Sequence, residues 1–139
     1  MRNISKIFIL LFVALLGFSS CGSEEPIGKW ENMKWTNVDN LKNVNGVYLL
    51  PAEGGTYTFL CRNYEQPWIS SVTVNGEYPE GYENSRVFNG EWFTVKFEGN
   101  KLIITVQSLP QSLGSRGFDL MVTAGDIFDK FIFNQQRNG

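Results

Sequence analysis

Phe93-Thr94-Val95-Lys96-Phe97 alternates apolar and polar side chains, and after Glu98-Gly99-Asn100-Lys101 the run Leu102-Ile103-Ile104-Thr105-Val106 keeps Leu102, Ile104 and Val106 in the same phase. A period of two puts Phe93, Val95 and Phe97 on one strand face and those three on the matching face of its neighbour. Gly99-Asn100 between them is turn chemistry, so the pair predicts an antiparallel hairpin. Similar alternation recurs about every ten residues, and no helical period appears after residue 26. Strands are predicted over 30–36, 47–50, 56–62, 68–74, 91–97, 101–107, 118–123 and 128–134. Asn45-Gly46, Glu53-Gly54-Gly55, Asn75-Gly76, Gly99-Asn100 and Gly125-Asp126 mark the turns. Many short strands without helices describe an all-β antiparallel sandwich or a barrel.

The chain has 139 residues, no histidine, 12 Lys and Arg and 14 Asp and Glu. One domain of this size buries roughly two-thirds of its unfolded surface. The absence of histidine removes Ser-His-Asp and Cys-His catalysis and His-containing zinc sites. No cofactor motif is present, because Gly54-Gly55 leads into a strand rather than a helix whose amides could hold phosphate. Mild acidity without a Lys/Arg run argues against nucleic acid. The expectation is therefore a protein that is not an enzyme and carries no metal or cofactor.

The first six residues carry Arg2 and Lys6 and no acid, and residues 7–18 are an almost unbroken apolar stretch. A bilayer span needs about 20 residues, so this is the pattern of an export signal and not of a spanning helix. Phe18-Ser19-Ser20-Cys21 resembles a bacterial lipobox, in which Cys21 receives diacylglycerol and becomes the new N-terminus. The division expected is a lipoprotein signal peptide over 1–20, the lipidated Cys21 with a flexible tether to residue 28, and a β-domain over 29–139. Arg2 and Lys6 leave with the signal, so 10 basic side chains remain against 14 acidic ones, a net charge of −4. Acyl chains contribute ~0.8 kcal/mol per buried CH₂ and hold such a protein on a membrane without spanning it. Glu24-Glu25 after the cysteine is similar to the surface-export signal of Bacteroidetes lipoproteins, which implies an outer-membrane location facing the cell exterior. Cys61 then has no partner in the chain and, alternating with Tyr57 and Phe59, reads as a small buried apolar residue.

Residues 75–90 break the rhythm, and a loop of that length in a small domain is often functional. It carries Tyr78, Tyr82 and Phe88 and leads to Trp92, which by alternation shares an outward face with Thr94 and Lys96. Sugar rings need flat apolar surface and planar polar groups. Tyr78, Tyr82 and Trp92 supply the first, while Asn84, Arg86 and Glu83 supply the second. The competing reading is that these aromatics fasten a long loop onto the domain, since each buries a large area at little entropic cost. Glu80 and Glu83 in one polar loop lack the opposed arrangement that glycoside hydrolysis requires. Asp126 and Asp129 lack the oxygen count of a calcium site and read as turn and strand-start residues. Trp68, alternating with Ser70, Val72 and Val74, and Trp35, alternating with Met33, are assigned to the core.

Two segments resemble the BACON family (Bacteroidetes-associated carbohydrate-binding, often N-terminal). The first runs Leu50-Pro51-Ala52-Glu53-Gly54-Gly55-Thr56-Tyr57-Thr58-Phe59. In the second, Arg116 precedes Phe118, Leu120 and Val122, then a Gly-Asp turn, and a last strand closes on Phe131-Ile132-Phe133-Asn134-Gln135. This resemblance implies an Ig-like sandwich of about seven or eight strands on an exported protein associated with glycan or mucin contact, and it transfers no binding residues. A protein partner at the outer membrane, with the domain as an assembly subunit, is the alternative. A third reading is a small-ligand carrier: Gly28-Lys29-Trp30 is similar to the opening of lipocalin-type barrels, which makes such a barrel the runner-up fold.

Overall fold

Ten strands and no helix make up residues 31–79 and 85–137, the part of the chain described by the computed structural model. They are β1 (Trp35–Asn37), β2 (Lys42–Val44), β3 (Val47–Leu50), β4 (Gly55–Cys61), β5 (Trp68–Val74), β6 (Val87–Asn89), β7 (Phe93–Glu98), β8 (Lys101–Val106), β9 (Ser115–Thr123) and β10 (Phe128–Gln136). One sheet has the order β1-β4-β8-β7-β6 and the other β2-β3-β10-β9-β5. All pairings are antiparallel except β3 with β10. With β1, β4, β8 and β7 in the places A, B, E and D, and β5, β9 and β10 in C, F and G, this is the immunoglobulin strand order. The fold is an Ig-like β-sandwich. The lipocalin-type barrel is overturned, because the two sheets keep separate edges and a filled interior lies between them.

The predicted hairpin forms and its two apolar rows face each other: Phe93 opposes Val106, Val95 opposes Ile104 and Phe97 opposes Leu102, all six buried. Two other turns follow from Asn-Gly pairs. Asn45 and Gly46 have φ of 54° and 90°, and Asn75 and Gly76 have 53° and 83°. Positive φ at both central residues is the type I′ hairpin turn, which suits the twist of the strands it joins.

The sheets meet through a run of rings. Phe59 lies 5.1 Å from Phe131, Phe131 6.0 Å from Phe133, Phe133 4.9 Å from Phe118, and Phe118 3.7 Å from Phe93. Ring pairs of this kind add about 0.5–1.5 kcal/mol each beyond the area they bury. Cys61 is buried and free, so among the described residues no disulfide joins strands B and F as one does in antibody domains. Trp35 packs at the edge of this cluster, 5.0 Å from Phe131, and its Nε1 donates to Asp129 Oδ2 at 2.9 Å.

Three expectations need correction. Trp68 is half-buried rather than core: the register shifts between Ile69 and Ser71, and this bulge places both Ile69 and Val72 inside. An extra residue in one strand inverts the alternation beyond it, which the sequence pattern does not reveal. Residues 75–90 are not one loop. Val74 and Glu77 exchange backbone hydrogen bonds of 2.8 and 3.0 Å, Ser85 bridges to Ile69, and β6 pairs with β7. Strand β2, with all three residues exposed, was also unanticipated. Three-residue edge strands are too short to display a period.

Candidate functional site

Strands β4, β7 and β8 run between two poles of the sandwich. One pole holds the Gly99-Asn100 turn, Cys61 and the start of the described chain, where Tyr64 hydroxyl donates to Glu31 O. The other pole holds Gly55, Trp92, Gln107 and Arg116, about 20 Å away along the seven residues of β4. Glycine makes this second pole possible. Gly54 has φ of 79°, and a Cβ there would lie 2.4 Å from Val106 O.

A groove of about 430 Å³ opens at the second pole. The type I′ turn at Asn75-Gly76 delivers Glu77, Tyr78 and Pro79 to one wall. Phe88, Asn89, Glu91 and Trp92 form the other, at the link between β6 and β7, where Gly90 N donates to Phe93 O at 2.8 Å. Tyr78 is 72% exposed. The volume falls within the range of small-molecule sites, about 300–1,000 Å³.

Trp92 precedes β7 instead of lying on its outer face, so it does not share a face with Thr94 and Lys96. Beyond the last ladder position its indole wraps the end of the sandwich, edge-on to Phe93 at 4.7 Å and Phe118 at 5.5 Å. The Arg116 guanidinium carbon sits 4.2 Å over the ring. Trp92 O accepts from Gln107 N at 2.9 Å. The residue is thus both a groove wall and a packing element.

Arg116 is itself committed. Its Nε donates to Gln135 Oε1 at 2.7 Å, and a terminal nitrogen donates to Gln107 O at 3.1 Å and Ser108 O at 2.9 Å. Burial lowers the pKa of this guanidinium. The fully buried Gln135 donates through Nε2 to Pro51 O at 3.0 Å and Gln107 O at 2.8 Å.

Of the five proposed contact residues, Tyr78 and Trp92 share the groove. Arg86 does not reach it. Its guanidinium carbon lies 5.7 Å over Phe97, and its donors go to Pro67 O at 3.2 Å, Gln66 Oε1 at 2.8 Å and Gly99 O. Phe97 N donates to Arg86 O, which places Arg86 at the opposite end of β7 from Trp92. Tyr82 and Asn84 lie outside the described residues, as do Cys21, Trp30, Glu80 and Glu83. Glu77, Asn89 and Glu91 were missed as groove residues. The Asn-Gly pair before Glu77 was the available signal, since a tight turn there fixes where the next side chains point.

A larger hollow of about 570 Å³ lies on the outer face of the second sheet, with Val44, Val47, Leu49 and Ile132 among its apolar residues. Asn134 lines it, and its buried Oδ1 has no hydrogen-bond partner. Tyr78 and Trp92 are not among its residues. Among the described residues, no three His, Cys, Asp or Glu side chains gather in a metal-holding group.

A solved NMR structure of a protein from Bacteroides thetaiotaomicron is similar to this chain at 37% identity, with a TM-score of 0.68, covering 82% of this chain and 94% of that one. The M1 domain of titin aligns at 16% identity and a TM-score of 0.44, over 78% of this chain and 97% of that one. A chimeric titin Z1Z2 tandem aligns at 17% identity and 0.45, over 91% of this chain and 55% of that one. No protein-family model matches the chain, and no curated protein does. The BACON resemblance therefore rests on the segments around Gly54-Gly55 and from Arg116 to Gln135 alone.

Proposed function

The chain belongs to the same family as the Bacteroides thetaiotaomicron protein, and from that premise we propose that it is a non-catalytic, lipid-anchored surface domain that binds glycan in the groove between Tyr78 and Trp92. The observation that carries this reading is an exposed aromatic ring, Tyr78, in a groove with a second aromatic wall and with Glu77, Asn89 and Glu91 beside it. A sugar ring is apolar on its C–H faces and polar at its rim. An exposed tyrosine offers flat apolar area at little entropic cost, and carboxylate and amide oxygens accept from hydroxyls. A small set of convergent polar groups around apolar walls is what fixes a ligand's orientation. Acylation of Cys21 and an outward-facing outer-membrane location complete the reading, supported by the lipobox-like residues 18–21 and Glu24-Glu25. The absence of any histidine supports a non-catalytic role.

The test is a glycan array probed with the purified chain beside its Tyr78→Ala variant. Binding that vanishes with Tyr78→Ala supports the site, whereas a folded chain that recognises nothing on the array refutes it. Cys21→Ser tests the anchor: the protein should move from the membrane fraction to the soluble one. One observation favours a second reading, an assembly subunit of an outer-membrane complex. Exposed Val44 stands beside Val47, Leu49 and Ile132 on the outer face of the second sheet, an apolar strip suited to a protein partner. Cross-linking on whole cells, with Ile132→Lys as the disrupting variant, tests that alternative.

A further inference from the structure

We propose that the groove selects uncharged sugars, neutral hexoses and N-acetylhexosamines, and rejects glycans that carry sulfate, uronate or sialic acid. This inference rests on the glycan-binding reading and names the class of ligand that reading leaves open. Its ground is the sign of the charge at the groove. The ionisable acids on its walls, Glu77 and Glu91, are both exposed carboxylates, and among the described residues no lysine or arginine lines it. An anion between two carboxylates meets repulsion from each side, and no cation lies among the lining residues to offset it.

Two arginines call for consideration as counter-charges, Arg86 within the same stretch of sequence and Arg116 over the Trp92 ring, and both are committed. Arg116 is held against Trp92, Gln135, Gln107 and Ser108 and is absent from the groove walls. Arg86 is fastened to Gln66, Pro67 and Gly99 at the far end of β7. Freeing either would break the contacts that hold it. Over residues 74–93 the sequence carries four glutamates, Glu77, Glu80, Glu83 and Glu91, against Arg86 alone. Acidic glycans are normally captured by arginine forks or lysines, and among the described residues the groove walls offer neither. Uncharged sugars need only the aromatic surface and hydrogen-bond acceptors, which carboxylates provide well.

The experiment uses the full chain and three probes on one backbone: N-acetyllactosamine, its 6-O-sulfated form and its α2,3-sialylated form, set within a broader array of neutral and acidic glycans. Glycans that need Tyr78 for binding should be uncharged, with acidic counterparts at least about tenfold weaker at low salt. In Glu77→Gln with Glu91→Gln that gap should narrow several-fold, and in wild type it should narrow as salt is raised, because screening weakens repulsion between exposed charges. Both glutamates are exposed, so the double variant keeps the fold. Tyr78-dependent binding of acidic glycans as tight as of neutral ones would overturn the selectivity while leaving the glycan site standing. A silent array refutes the site and the selectivity together.

Discussion

Arg116 and Gln135 are direct partners across the β9–β10 ladder, with Arg116 Nε 2.7 Å from Gln135 Oε1. Gln135 is fully buried, and its amide nitrogen serves the carbonyls of Pro51 and Gln107. One side chain thereby ties the turn after β3, the end of β8 and strand β9 into one polar cluster beside Trp92. The Arg and closing Gln that carried the family resemblance are thus a structural lock at the groove pole.

Gln135→Leu keeps the volume but leaves the Arg116 Nε without its acceptor, while Pro51 O keeps the Gly54 N donor and Gln107 O keeps the Arg116 terminal nitrogen. One unsatisfied buried group costs about 1–3 kcal/mol, so a loss of that size is expected in urea unfolding. Arg116→Ala should cost less in the Gln135→Leu background than in wild type, because the two belong to one network. Strict additivity would show that the pair does not act as a unit.

Gly54 and Gly46 both have positive φ, 79° and 90°, yet their surroundings differ. A Cβ at Gly46 meets nothing within 4 Å, while at Gly54 it would press on Val106 O at 2.4 Å and the Gln107 carbonyl carbon at 2.8 Å. Gly46→Ala should therefore cost about 1 kcal/mol of backbone strain, and Gly54→Ala about 3 kcal/mol or more once the clash is added. Equal unfolding midpoints for the two variants would contradict the close approach.

Tyr57 donates its hydroxyl to Gly54 O at 3.1 Å, and burial, then Glu53 and Asp39, raise its pKa above the ordinary tyrosine value. A group whose folded pKa is raised gives stability that is fully present below its unfolded pKa, about 10, and lost as pH rises through the folded value. Between pH 9 and 11 the wild type should lose stability more steeply than Tyr57→Phe. Parallel slopes for the two proteins would remove Tyr57 as the cause.

Strand β8 and its hairpin partner β7 were legible because each buried residue alternates with a half-buried or exposed one and a Gly-Asn turn joins them. The phase of β5 was not, since the bulge between Ile69 and Ser71 is a backbone event without a residue signature. Strand β6 was hidden by its length, and with it the fact that Arg86 sits at the far end of β7. The turn at Asn75-Gly76 was visible, but the sequence did not say that it would bring Tyr78 to Trp92. That meeting depends on β5 and β7 lying in different sheets whose ends converge at one pole, a relation set by packing of the whole sandwich.

Trp92 is therefore the less informative residue to remove, although it forms a groove wall. Its ring packs on Phe93 and Phe118 and lies under Arg116, so Trp92→Ala should cost about 2–4 kcal/mol of stability and loosen the Arg116–Gln135 cluster. Lost binding in that variant would follow from either role. Tyr78 separates the two. At 72% exposure its truncation should change stability by no more than about 0.5 kcal/mol, while removing the open stacking surface of the groove. Measured side by side, Tyr78→Ala should unfold with the wild type and fail to hold glycan, and Trp92→Ala should unfold earlier. A Tyr78→Ala variant that binds like the wild type would assign the aromatics of this pole to packing alone.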